Sequence, residues 1–85
     1  MTGKDSQNAR NLELMAIQDI MSKKDGRAFM FRLMEHSGVF QDTFHADSAI
    51  SAYKSGRRSN GLFLESEIKQ AAPENYIKMI QEHIL

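Results

Sequence analysis

The residues of this 85-residue chain best suited to acid–base work or metal binding are its three histidines, His36, His45 and His83. None has a second histidine or a cysteine at ligand spacing, and the chain contains no cysteine. That removes a thiolate zinc site, a cysteine nucleophile and a disulfide framework together. His36 follows Glu35 and His83 follows Glu82, but adjacent helix positions do not face each other. Near helix ends these histidines read as surface residues. Glu65 and Glu67 lie two apart, so on a helix they point to different sides and form no acid–base pair. Asp42 and Asp47 suit a turn and a cap. No Gly-x-Ser-x-Gly, Walker-type loop, His-Glu-x-x-His or dinucleotide fingerprint occurs. The expectation is a protein without enzymatic activity, cofactor, metal or small-molecule substrate.

The basic residues offer a different chemistry. Lys54, Arg57 and Arg58 are the one local positive cluster. Lys54 and Arg58 are four apart and share a helix face. Arginine forks match phosphate and carboxylate geometry. Two readings follow. The cluster contacts phosphate, or Arg57, which lies on an apolar helical phase, is half-buried and paired with Asp25, Glu35 or Glu67. Eleven basic residues balance eleven acidic ones. A neutral chain supports at most a weak DNA contact.

These side chains need a frame. One domain suits the length, and its core must be thin. Hydrophobic residues at 41% and charged residues at 26% are ordinary for a globular domain. Residues 1–8 hold almost nothing to bury and read as a disordered tail. The domain is expected over residues 9–85. The first 11 residues lack the apolar stretch of a signal peptide, and no run is long enough to span a membrane.

A first helix is predicted over residues 9–21. Leu14, Ile17 and Met21 recur at three and four, and Leu12, Ala16 and Ile20 at four. Residues 22–26 break the pattern. A second helix starts near Asp25 as its N-cap and runs to about Ser37. It carries Phe29, Met30, Leu33 and Met34, with Phe31 on another side. Gly38 is placed to end it in the left-handed conformation. Residues 39–44 fit either one helical turn or an extended link.

The third segment is capped by Asp47 or Ser48 and runs to about Ala71. Ile50, Tyr53, Arg57, Gly61, Leu64, Ile68 and Ala71 hold one helical phase throughout. Gly56 and Gly61 oppose a continuous helix, each at about 0.5–1 kcal/mol relative to alanine. Asn60-Gly61 is also a turn dipeptide. The kept phase favours one helix, and the glycines then need a close approach by another helix or chain. Pro73 opens a fourth helix, with Tyr76, Ile77, Met79, Ile80 and Ile84 on its apolar side. The fold class is all-α, a small bundle of three to four helices. The methionines fall mostly on apolar faces as adaptable core filler.

In chain order the pattern reads Asp25-Gly26-Arg27, an apolar helix, Ser37-Gly38-Val39-Phe40 and Phe44. Then come Ala52-Tyr53-Lys54-Ser55-Gly56-Arg57-Arg58-Ser59-Asn60-Gly61-Leu62, Ile68 and Pro73-Glu74-Asn75-Tyr76. From Leu12 to Glu82 this resembles a family of small proteins encoded by tailed bacteriophages, often near portal and other virion genes. Its most specific piece is Gly56-Arg57-Arg58 with Gly61-Leu62 after it. The resemblance implies a virion, head–tail or DNA-packaging accessory role, with no established catalysis. It supplies no binding residues to carry across.

The sequence expectation is therefore a phage structural or assembly module in the virion or the bacterial host cytoplasm. It would bind other phage structural proteins or a second copy of itself. The surface expected to do so comprises Tyr53, Gly56, Arg57, Arg58, Gly61 and Leu62. A packaging accessory touching DNA through Lys54, Arg57 and Arg58 is the alternative, beside an early inhibitor of a host protein.

Overall fold

The computed structural model describes residues 3–41 and 46–85. It contains α1 (Gly3–Met21), α2 (Lys24–His36), α3 (Ser48–Ala71) and α4 (Pro73–His83), and among the described residues there is no strand. The chain is an all-α bundle, as its periodicity predicts. α1 starts at Gly3, so most of the expected tail is helical. Its polar residues support this locally, since the Gln7 amide donates to Asn11 Oδ1 one turn on (3.1 Å).

The connections follow from local chemistry. α1 stops where the Ser22 hydroxyl donates to the Asp19 carbonyl (2.6 Å). α2 then begins at Lys24 with Lys23 as N-cap, two residues earlier than the predicted Asp25 cap. Asp25 instead sits in the first turn, where its charge suits the helix dipole. Gly26 belongs to the helix rather than the turn. A Cβ there would strike the carbonyl group of Ile20, so only glycine lets α2 start this close to α1.

α2 ends as predicted. Gly38 has φ +83°, the left-handed region that favours glycine. Val39 N–H donates to the Met34 carbonyl (3.2 Å) and Gly38 N–H to the Glu35 carbonyl (3.0 Å). This is a Schellman motif, with Val39 and Met34 as its apolar contact. Of residues 39–44, Phe40 stacks on Phe31 with ring centroids 5.4 Å apart. Asp42, Phe44 and His45 lie outside the described residues.

α3 is one helix, 24 residues long, through both glycines. Asp47 caps it, its side chain accepting from Ala49 N–H (2.8 Å) and Ile50 N–H (3.1 Å). Ala72 alone joins α3 to α4, and Pro73 takes the first turn of α4, where a missing N–H costs nothing.

The core draws one fully buried side chain from each helix: Met21, Met34, Ile68 and Met79. Val39 and Ala72 complete it. Ile17, Met30, Phe31, Leu64, Tyr76 and Ile80 pack around it half-buried. Three of its four centres are methionines, whose unbranched thioethers fill an irregular junction well. α1 packs on α2 and α3, α4 packs on α2 and α3, and α2 packs on α3.

The result is flat, 47 × 36 × 15 Å, with a radius of gyration of 15.1 Å. A compact chain of this length would have a radius of about 12 Å. The excess comes from helices longer than the junction they share, α3 above all at about 36 Å.

Candidate partner-binding surface

α3 carries its apolar phase over its full length, but the rest of the chain covers only the C-terminal half. Gly61, Ile68 and Ala71 are buried and Leu64 is half-buried. On the same phase, Ile50 is 42% exposed and Tyr53 is 68% exposed. The changeover falls at Arg57, where the end of α2 meets α3.

Gly61 is the point of closest approach. A Cβ there would overlap the Ser37 hydroxyl and a Val39 methyl, and would lie 2.8 Å from Ser37 Cβ. Gly61 is therefore consumed by a contact inside the chain and offers nothing to a partner. This corrects the expectation that it belongs to an exposed close-contact surface. Gly56 is the opposite case. A Cβ there would meet no atom within 4 Å, so internal packing gives no reason for glycine at this position. Leu62 is exposed (38%).

Arg57 is half-buried, as its phase predicts, but does not pair with Asp25, Glu35 or Glu67. Its guanidinium lies against the backbone of Gly38, where a Cβ would stand 3.4 Å from one terminal nitrogen. A cation there complements the carbonyl end of α2. It also sits over the Tyr53 ring, 5.8 Å from the centroid. Arg58 and Lys54 are half-buried on the adjoining side. Among the described residues none of these three cations forms a salt bridge. The Nε atoms of Arg57 and Arg58 are buried without an acceptor.

Glu67 and Glu82 are taken by other arginines. Glu67 accepts a fork from Arg10, with Nη1 to Oε1 at 2.9 Å and Nη2 to Oε2 beside it. That hydrogen bonding holds the Glu67 carboxyl below its ordinary range. Glu82 is gripped in the same way by Arg27, the one buried charged residue among those described. The periodicity gave no sign of this pair, because Arg27 lies at the polar start of α2. Tyr76 donates to Glu65 (2.8 Å), and burial pushes its hydroxyl up to about 12, helped by that bond.

The two described histidines, His36 and His83, are not brought together. His36 is exposed at the end of α2, and His83 lies flat on Phe31, with centroids 4.7 Å apart. Among the described residues no group of three His, Asp or Glu side chains is placed to hold a metal ion. Among the described residues no helix is long and apolar enough to cross a membrane.

The sequence matches the model of the Bbp19-like phage proteins over residues 17–81. The chain belongs to this family. The match takes in the end of α1, all of α2 and α3, and nearly all of α4. The matched span of the Bbp19-like chain includes Gly61 and the cations Lys54, Arg57 and Arg58. No curated protein and no solved structure matches it.

Proposed function

We propose that this Bbp19-like protein is a non-catalytic accessory part of phage particle assembly, docking to other virion or assembly proteins through helix faces its own fold leaves open. The supporting observation is surface area. The chain exposes 5969 Å². A compact monomer of 9.7 kDa exposes about 5,100 Å². The surplus of roughly 800 Å² equals one partner's share of a standard interface. Much of it is apolar, with Leu12, Phe29, Tyr53, Phe63 and Ile77 each more than half exposed. The test is quantitative mass spectrometry of purified particles, combined with deletion of the gene. A fixed copy number makes the protein a structural part. Absence from particles with a loss of particle yield makes it an assembly factor. Absence with unchanged yield overturns the reading.

Lys54, Arg57 and Arg58, which form no salt bridge among the described residues, also favour a second reading as a DNA-contacting packaging accessory. In that case binding to duplex DNA weakens steeply with salt, and Arg57→Ala with Arg58→Ala removes it. Salt-independent binding rejects this version.

A further inference from the structure

Residues 48–64 contain Lys54, Arg57 and Arg58 and no acidic residue, a local charge of +3 in a neutral chain. The same stretch leaves Ile50 and Tyr53 exposed on the phase that is core further along α3. It is the one place among the described residues where open apolar side chains adjoin arginines with buried, unsatisfied donors. Where an acid is within reach in this protein, arginine takes it in a fork, as Arg10 and Arg27 do. Here, among the described residues, no acid pairs with Lys54, Arg57 or Arg58.

We infer that the N-terminal half of α3 is a docking surface for an acidic protein segment, one presenting carboxylates beside an apolar side chain. The inference rests on the protein-binding reading above and names the surface and the partner's chemistry. Carboxylates of the partner pair with the half-buried Lys54, Arg57 and Arg58 side chains, whose positive charge no described acid offsets. Their apolar neighbour covers Ile50 and Tyr53. Charge selects this occupant over a second copy. In a two-fold pairing the same residues face one another, which sets +3 against +3. Nucleic acid would leave the apolar phase of Ile50 unexplained.

The test places a photo-crosslinking residue at this surface (Tyr53→p-benzoylphenylalanine) in host cells in which the encoding phage grows. Mass spectrometry then sequences the crosslinked peptide. The expected result is one protein, captured through a segment holding at least two Asp or Glu. Lys54→Glu with Arg58→Glu lowers the yield by more than roughly tenfold, because like charges then face each other. Replacing the captured segment's carboxylates with lysine restores it. Circular dichroism and melting of Lys54→Glu/Arg58→Glu confirm that the variant is folded. Crosslinking to a second copy, to nucleic acid or to a segment without carboxylates overturns the inference, as does a yield indifferent to charge reversal. A parallel probe at Ile77→p-benzoylphenylalanine in α4 separates the two levels. Capture there alone rejects the α3 surface but leaves the protein-binding reading. Capture at neither position rejects both.

Discussion

Arg27, near the start of α2, grips Glu82, near the end of α4, through both carboxylate oxygens: Nε to Oε1 at 2.8 Å and Nη2 to Oε2 at 3.0 Å. Its remaining nitrogen donates to the Met21 carbonyl (3.1 Å), where α1 ends. One side chain therefore ties three helices, each of its three nitrogens donating once, while only 4% exposed. A buried charge is tolerated only on such terms.

Breaking that pair from one side strands a charge. Arg27→Met is expected to lower the melting temperature more than Arg27→Met combined with Glu82→Leu, since the double variant leaves no unpaired carboxylate. Equal or reversed effects in thermal melts would remove the pair from the account of stability.

Acid should weaken the fold through the same groups. Hydrogen bonds from Arg27 and Arg10 depress the carboxyls of Glu82 and Glu67 below their ordinary value of 4.5. The unfolded chain then binds more protons than the folded one as pH falls below that value. The stability these groups contribute is complete above it and is lost as pH drops through the depressed folded values. Urea midpoints measured from neutral pH downward should fall in that window, and Glu82→Gln with Glu67→Gln should flatten the decline.

The two glycines of α3 should respond in opposite directions. Gly56→Ala adds a methyl into open space and gains helix propensity, about 0.5–1 kcal/mol. That raises the melting temperature by about 2–8 °C. Gly61→Ala forces apart α3 and the Ser37–Val39 turn and should cost about 1–3 kcal/mol. Melts of both variants decide it. A neutral Gly61→Ala would mean that the α2–α3 contact gives way without cost.

Met79 is fully buried with a core residue from each other helix around it. Met79→Ala should cost about 2–5 kcal/mol. The whole fold is worth only about 4–13 kcal/mol at this length, so this variant is expected to be partly unfolded at 37 °C. Met79→Leu, which keeps the volume, should cost less than about 1.5 kcal/mol. Chemical denaturation of the pair checks both values.

Tyr76 gives a mark at the alkaline end. Its hydroxyl is raised from 10.0 to about 12, first by burial and then by the hydrogen bond to Glu65. The folded state holds this proton after the unfolded state has lost it, so stability declines as pH rises from 10 toward 12. Ultraviolet difference titration should show one tyrosine ionising near 12, and Tyr76→Phe should remove that step.

Local order alone decided much of this protein. The single α3 helix, the left-handed Gly38, the Asp47 cap and the Pro73 start each depend on partners within about four residues, so spacing in the chain carries the information. The phase through Ser55–Gly61 outweighed two glycines because burial of Gly61, Leu64, Ile68 and Ala71 along one face exceeds their propensity cost. Tertiary structure decided the rest. It made Arg27 rather than Arg57 the buried, paired arginine, because Glu82 is 55 residues away and only packing brings it near. It gave Glu67 to Arg10, 57 residues earlier. It sealed Gly61, which lies on the apolar phase, against Ser37 and Val39, and left Gly56, which lies off that phase, open. Which half of the α3 face is core depends on where α2 happens to end against it, and no spacing within α3 encodes that.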